Sequence, residues 1–143
     1  PHPGEASKLL TALEAESGDK ATLETLGKIE RAATDRFAMC ELLQCYLGGA
    51  VVLKGAGSLI SDGGEMWLCP HGNPGMSTAG MGDVLSGVVG AMLGQGLLIG
   101  DAARLAVMMH AVAGDRAVSV TGERGLVATD LMSQLRKLAN EYS

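Results

Sequence analysis

The segment G-N-P-G-M-S-T-A-G-M-G-D at residues 72–83 constrains the fold more than any other part of the chain. Its glycines and proline disfavour a regular element, and an apolar run with helical spacing follows directly. The positions that share this spacing are Val84, Leu85, Val88, Val89, Met92 and Leu93. A glycine loop that opens a helix leaves backbone N–H groups unpaired at the positive end of the helix dipole. The segment therefore predicts a phosphate site.

Asp83 ends this segment and adds a negative charge beside the predicted phosphate site. A carboxylate is a poor ligand for an anion, so it is more useful as a base that acts on the group meeting the phosphate. The alternative is a long glycine-rich turn in which Asp83 is an ordinary helix cap. Because that alternative leaves the length of the loop unexplained, phosphoryl chemistry is the favoured interpretation.

Composition narrows the class of protein. With 143 residues, 47% of them hydrophobic, the chain has material for one domain with a core. A net charge of -5 argues against a surface for nucleic acid or for an acidic membrane. Cys40, Cys45 and Cys69 lack metal-ligand spacing and indicate reduced thiols in a cytoplasmic protein. Residues 84–100 are uncharged but too interrupted for a bilayer span, so we expect a buried helix there.

Periodicity and capping signals predict five helices. They are expected over residues 5–16, 22–47, 84–100, 102–118 and 130–142. The expected capping residues are Thr22, Asp101 and Thr129. The second helix ends at Gly48-Gly49. One of its faces carries Ile29, Ala33, Phe37, Cys40 and Leu43.

Short extended segments alternate with these helices. The apolar run Ala50–Leu53 predicts a strand buried on both faces, as in a parallel sheet. Residues 58–61 and 65–69 predict two further strands, joined by a hairpin turn at Asp62-Gly63-Gly64. The pattern indicates an α/β fold, and because so few strands make an incomplete sheet we expect partner strands upstream of Pro1.

A second glycine loop, Lys54-Gly55-Ala56-Gly57-Ser58, follows the predicted buried strand. Loops at the carboxyl ends of strands face the ligand crevice of an open α/β sheet. Lys54 would supply a point charge and Ser58 a hydroxyl, while the glycines allow the backbone to approach a phosphate or a base. A plain hairpin turn explains the same residues equally well.

The three histidines give weaker signals. His2 and Glu5 flank a proline-glycine turn ahead of a helix, where Glu5 could be a dipole partner and His2 a frayed terminal residue. Structural roles are favoured for His71 and His110. No two histidines have helical ligand spacing, which argues against a zinc site.

Three motifs together resemble the ADP/ATP-dependent NAD(P)H-hydrate dehydratases of the ribokinase-like superfamily. They are P-H-P-G-E at 1–5, V-V-L-K-G-A-G-S at 51–58 and G-N-P-G-M-S-T-A-G-M-G-D-V-L-S-G at 72–87. The closing G-L-V-A-T-D-L at 125–131 is also similar. The resemblance implies a three-layer αβα fold, of which residues 1–143 would be the carboxy-terminal portion of one domain. A ribokinase-like domain needs roughly twice this length, so we expect an amino-terminal half upstream.

The resemblance also implies a reaction, in which ADP or ATP drives the dehydration of hydrated NADH or NADPH back to the working cofactor. The residues implied at the adenine-nucleotide site are Lys54, Gly55, Ala56, Gly57, Ser58 and Gly82. His2 and Asp83 would contact the hydrated dinucleotide, with Asp83 as the base and the N–H groups of residues 79–82 holding the developing charge. Mg²⁺ is expected with the nucleotide, and Glu5 would meet it through water.

Several expectations concern the whole protein. Members of the family are often fused to an epimerase domain, so the chain is interpreted as the tail of such a fusion. A homo-oligomer is also expected, and this segment alone would be a poor catalyst. Met81 stands where many relatives have Thr or Ser, which removes one hydroxyl near the phosphate. The alternatives are a small-molecule kinase of the same superfamily, which would usually carry Asn at the position of His2, and a non-catalytic nucleotide-binding module.

Overall fold

In the computed structural model the described residues are 1–17, 28, 31–32 and 34–141. The chain divides into two compact units, Pro1–Leu68 and Cys69–Ser143. The elements of the first unit are the helices α1 (Pro3–Ser17) and α2 (Arg36–Leu47) and the strands β1 (Val51–Leu53), β2 (Ser58–Ser61) and β3 (Met66–Cys69). The last residue of β3 opens the second unit.

The helix predicted over residues 22–47 is interrupted at Asp35. This residue is extended (φ −122°, ψ 113°), and its Oδ1 accepts a hydrogen bond from the N–H of Phe37 at 2.9 Å. Asp35 is thus the N-cap of α2. As predicted, α2 ends at Gly48, which has the positive φ of 68°. The predicted cap Thr22 and the face residues Ile29 and Ala33 lie outside the described residues.

The three strands form one sheet in the order β1-β2-β3, and the pairing of β1 with β2 is antiparallel. Val51 lies opposite Ser61, and Leu53 opposite Leu59. The predicted parallel arrangement is therefore wrong for these strands. The reason is the length of the connection, because residues 54–57 are too few for the crossover that parallel neighbours require. Val51 and Leu53 are buried, but Val52 is only half-buried.

The core of the first unit lies between its helices and its sheet. Of the residues on the predicted helix face, Cys40 and Leu43 are fully buried, whereas Phe37 is 49% exposed. Because α2 begins at Arg36, Phe37 lies in its first turn, ahead of the residues that pack into the core. The predicted hairpin turn is confirmed between β2 and β3, where the N–H of Gly64 donates to Asp62 Oδ1 at 3.2 Å.

The second unit contains a 3₁₀ turn (Pro74–Met76) and the helices α3 (Met81–Gly94), α4 (Ile99–Thr121) and α5 (Asp130–Asn140). Its hydrophobic core joins Met81 of α3 to Ala113 and Ala117 of α4 and to Leu131 of α5. Small residues on α4 let both neighbouring helices approach its backbone.

Two predictions about these helices are corrected. Helix α4 begins at Ile99 rather than Ala102, so Asp101 lies in its first turn and bonds to Arg104 Nη2 at 2.8 Å instead of capping it. Thr129 occupies the N-cap position of α5, but its side chain makes no capping hydrogen bond.

Helix α3 was expected to be buried, yet among its residues only Met81 and Leu85 are buried, and Leu93 is 42% exposed. Its main packing partner among the described elements is α4, so one side of an otherwise apolar helix is covered. None of the helices in the described part of the chain is both long enough and apolar enough to cross a membrane.

Candidate active site

The amino-terminal motif forms a capping box at the start of α1. His2 is the N-cap, and its Nδ1 accepts hydrogen bonds from the N–H groups of Gly4 at 3.0 Å and Glu5 at 3.3 Å. In return, the N–H of His2 donates to Glu5 Oε2 at 2.8 Å. Because Nδ1 is an acceptor in this arrangement, the ring proton is assigned to Nε2. His2 is therefore held by backbone contacts, which excludes the expectation of a frayed residue, and its exposed Nε2 lies 3.6 Å from Glu5 Oε1.

The same turn is fastened to the end of β1. The N–H of Lys54 donates to the carbonyl oxygen of Pro1 at 2.8 Å, and Lys54 Nζ lies 3.7 Å from Glu5 Oε2. The hydrogen bond from the His2 N–H, with a smaller contribution from the Lys54 charge, lowers the pKa of Glu5 from its usual value. Two motifs that are some fifty residues apart in the sequence thus meet within the first unit, with Glu5 between an imidazole and an ammonium group.

The Lys54–Ser58 loop is the turn between β1 and β2, as its hairpin interpretation predicts. Its shape is fixed by Arg36, whose Nη1 donates to the carbonyl of Ala56 at 2.6 Å and whose Nη2 donates to that of Gly57 at 3.0 Å. A Cβ at Gly55, which has a φ of 152°, would lie 2.9 Å from Arg36 Nη2. The positive φ favours glycine at this position, and a side chain there would displace the guanidinium group.

Sequence reasoning missed Arg36, although one signal was present. Arg36 is the first residue of α2, where a positive charge opposes the helix dipole. A cation in this unfavourable place indicates a specific partner elsewhere, and here the partners are the two loop carbonyls. Ser58 adds a local bond, since its Oγ donates to the carbonyl of Gly55 at 3.3 Å.

The first residues of the Gly72–Asp83 segment are hydrogen-bonded to α4. The N–H of Gly72 donates to Asp115 Oδ2 at 3.0 Å, and Asn73 Nδ2 donates to Asp115 Oδ1 at 2.9 Å. The next residues form the 3₁₀ turn. Its Met76 side chain packs so closely on Gly114 that a Cβ there would overlap the Met76 Sδ atom. Asp115 also escaped the sequence analysis, because nothing near it in the sequence marks it as a partner of a loop 43 residues away.

The loop leads into α3 through Gly80, the N-cap, which has a left-handed backbone (φ 84°, ψ −13°) and no side chain to cap the helix. The first N–H groups of α3 therefore keep the capacity to bind an anion, strengthened by the helix dipole. Asp83 is the third residue of the helix and is exposed. No ion pair or side-chain hydrogen bond joins its carboxylate to another residue that the structure describes.

Met81 is directed away from this anion site. Its side chain is 6% exposed and belongs to the core of the second unit, with Ala117 and Leu131. Met81 therefore contributes packing in this chain. Gly82, its neighbour, accepts a hydrogen bond at its carbonyl from Ser86 Oγ at 2.9 Å.

The other two histidines and the two buried cysteines are explained by burial or by contacts within the fold. His110 is buried, which lowers its pKa, and His71 Nδ1 lies 3.6 Å from Asp115 Oδ2. Burial raises the pKa of the Cys40 and Cys69 thiols. Within the described ranges, no three His, Cys, Asp or Glu side chains form a group that could hold a metal ion.

Comparison with solved structures defines the class of protein. The chain aligns over its whole length, with a TM-score of 0.71 and 23% identity, to 47% of the Bacillus subtilis ADP/ATP-dependent NAD(P)H-hydrate dehydratase co-crystallised with ATP/Mg²⁺. It aligns equally well, at 25% identity, to 43% of a ribokinase-like superfamily protein from Enterococcus faecalis. The fold is ribokinase-like, which confirms the expected α/β class.

Sequence comparison then gives the family. Residues 1–137 match the family model described as NAD(P)H-hydrate dehydratase, so this chain belongs to that family. It is 44% identical over 140 residues to the bifunctional NAD(P)H-hydrate repair enzyme Nnr of Vibrio cholerae, covering 98% of this chain and 25% of that protein. It is 33% identical over 145 residues to the ADP-dependent (S)-NAD(P)H-hydrate dehydratase of Neisseria meningitidis, covering 100% of this chain and 44% of that protein. The chain thus spans from about a quarter to less than half of these relatives.

Proposed function

We propose that the complete protein carrying this chain dehydrates hydrated NADH or NADPH at the expense of ADP or ATP. Residues 1–143 would be the carboxy-terminal portion of its dehydratase domain. Family membership supports the proposal, and so do the activities named for the V. cholerae and N. meningitidis relatives. The observation that carries it is Asp83, an exposed carboxylate in the first turn of α3, directly after an uncapped glycine loop.

In the proposed nucleotide site, Lys54 supplies a charge and the loop backbone a close approach. The residues assigned to this site are Lys54, Gly55, Ala56, Gly57, Ser58 and Gly82. The contacts of Arg36 support the assignment of the hairpin loop, because they occupy two of its carbonyl oxygens and leave its shape fixed before a nucleotide arrives.

For the chemical step, Asp83 accepts the proton of the C6 hydroxyl while that oxygen attacks the terminal phosphorus of the nucleotide. The phosphorus–oxygen bond to the departing AMP or ADP breaks, and a phosphate ester is left at C6. The lone pair of the ring nitrogen then expels phosphate with the electrons of the C6–O bond. Loss of a proton from C5 restores the reduced nicotinamide. The N–H groups of residues 79–82 stabilise the charge on the transferring phosphoryl group.

His2 and Glu5 are assigned binding roles, His2 toward the hydrated dinucleotide and Glu5 toward the metal ion. The Nε2–H group of His2 would donate to the hydrated dinucleotide in place of Glu5 Oε1, which lies 3.6 Å away, since Nδ1 already accepts from the backbone. Glu5 fits a metal only through water, because its carboxylate accepts from the His2 N–H and pairs with Lys54. A magnesium ion held by the nucleotide phosphates would neutralise their charge, and Glu5 would orient one of its waters.

The test follows the recovery of NADH absorbance when the complete protein is mixed with hydrated NADH and ADP or ATP. Removing the base by Asp83→Asn is expected to lower kcat by about 10²- to 10⁴-fold. Asp101→Asn is the matched control, because it changes an exposed acidic residue in the first turn of α4 that pairs with Arg104. Absence of NADH recovery by the unaltered protein would refute the dehydratase, and full activity of the Asp83 variant would refute the base.

The same assay distinguishes the dehydratase from the alternative, a small-molecule kinase. A small-molecule kinase would convert the nucleotide and retain phosphate on its product, without restoring reduced nicotinamide. Measuring nucleotide turnover beside NADH recovery therefore distinguishes the two functions. A nucleotide-binding module without activity would show neither signal.

A further inference from the structure

Among the described residues, Asp115 of α4 accepts two hydrogen bonds from the entrance of the glycine loop. Its Oδ1 accepts from Asn73 Nδ2 at 2.9 Å and its Oδ2 from the Gly72 N–H at 3.0 Å. His71 Nδ1 lies 3.6 Å from the same Oδ2. Three consecutive residues of the loop entrance thus converge on one carboxylate.

These contacts select one conformation of the loop entrance. Gly72 has a φ of 107°, which is open to glycine but rarely adopted by other residues. Asn73 stands at the N-cap position of the 3₁₀ turn, yet its side chain makes no capping bond, because it reaches Asp115 instead. Its Oδ1 is buried without a hydrogen-bond partner among the described atoms. A buried unpaired acceptor is unfavourable, so the bond of Nδ2 to a charged group must compensate for it.

The residue before Asp115 contributes to the same contact in another way. Because Gly114 has no side chain, Met76 of the 3₁₀ turn lies directly on the backbone of α4. One turn of α4 therefore fixes the loop entrance by a charge at Asp115 and by a close approach at Gly114. The loop exit is fixed separately, since a Cβ at Gly80 would lie 3.1 Å from that of Ala128 and Met81 is buried in the core.

We propose that Asp115 is the positioning residue of the glycine loop. By holding the entrance at Gly72 and Asn73, it sets where the N–H groups of residues 79–82 and the carboxylate of Asp83 meet the phosphoryl group. Asp115 touches no reactant in this proposal, which rests on the function proposed above. Since a misplacement of about 1 Å can lower a rate about 10²-fold, the loss should appear in kcat rather than in KM.

The first measurement is amide hydrogen exchange at Gly72 in the complete protein. Asp115→Ala should make this amide exchange about tenfold faster or more, the loss expected for one hydrogen bond to a charged group. Asn73→Ala should leave Gly72 protected, since the bond from its N–H to Oδ2 remains. Glu141→Gln is the control, because it breaks the ion pair between Arg116 of α4 and Glu141 without touching the loop. Unchanged exchange in Asp115→Ala would overturn the proposal.

The second measurement is steady-state dehydration. Asp115→Ala should lower kcat about 10²-fold with little change in the KM for nucleotide, and Asp115→Asn should recover part of it, because its single oxygen can keep one of the two bonds. A kcat within twofold of the unaltered protein would overturn the inference. If the unaltered protein lacks dehydratase activity, the proposed function fails, while Gly72 exchange still decides whether Asp115 anchors the loop. If Asp115→Ala does not fold, Asp115→Asn decides by the same two readouts, and unchanged Gly72 exchange together with an unchanged kcat would overturn the proposal.

Discussion

The Lys54–Ser58 loop and the Gly72–Asp83 segment are both rich in glycine, but groups of opposite charge hold them. The guanidinium of Arg36 binds the first through its carbonyl oxygens. The carboxylate of Asp115 binds the second through an N–H and an amide group at its entrance only. Glycine gives both segments conformational freedom, and a distant charged residue removes it in each.

The two segments also differ in what anchors their far ends. The hairpin loop runs between two strands of one sheet, so its ends are fixed by the β1–β2 ladder. The glycine segment instead ends in α3, and Met81 anchors that end in a hydrophobic core. The comparison indicates that side-chain packing is the main anchor at the exit of the Gly72–Asp83 segment. In the Lys54–Ser58 loop, the main anchor is the pair of hydrogen bonds to the Arg36 cation.

The largest effect should come from the packed exit. Met81→Thr introduces a hydroxyl, but it removes a buried side chain and should lower the free energy of unfolding by about 2–4 kcal/mol. Urea unfolding measures the loss. Met108→Thr, at a position that is 39% exposed on α4, is the matched control and should cost much less. Equal losses in the two variants would show that the core does not anchor this end.

A smaller loss of stability is expected when Arg36, the cation that holds the Lys54–Ser58 loop, is replaced. Arg36→Ala removes two hydrogen bonds from the half-buried guanidinium and should lower the free energy of unfolding by about 1–2 kcal/mol. Arg36→Lys should recover little, because an ammonium group cannot reproduce two bonds in a planar fork. Arg31→Ala, which removes an exposed partner of Asp35, serves as the control. Full recovery by lysine would show that charge alone holds the loop.

The smallest effect concerns the turn beside the hairpin loop. The folded protein lowers the pKa of Glu5 below its usual value of 4.5. Its carboxylate therefore contributes stability above that value, and the contribution is lost as the pH falls through the lower pKa of the folded state. The difference in stability between the unaltered protein and Glu5→Gln should be constant near neutrality and disappear in acid. A difference that persists unchanged below the folded pKa would contradict the role given to the His2 N–H and Lys54.

Local signals predicted much of the fold. The helix over residues 5–16, the hairpin turn at residues 62–64 and the helix after the glycine loop each carry their own spacing or turn residues. The direction of β1 was not predictable in this way, because a short apolar run looks the same in parallel and antiparallel sheets. The start of α4 was misplaced because Asp101 is acceptable both as a cap and in a first turn, where Arg104 pairs with it.

The candidate site also combines features that follow from local sequence with features that depend on tertiary contacts. Sequence alone determined the glycine loop, the carboxylate at its end and the motifs that place the chain in its family, because these depend on residue type and short spacing. Only the tertiary structure decided that Arg36 and Asp115 hold the two loops and that Met81 faces a core. The physical reason is distance along the chain. The bonds of Arg36 and Asp115 join residues 20 to 43 positions apart, and such contacts exist only once the elements between them have packed.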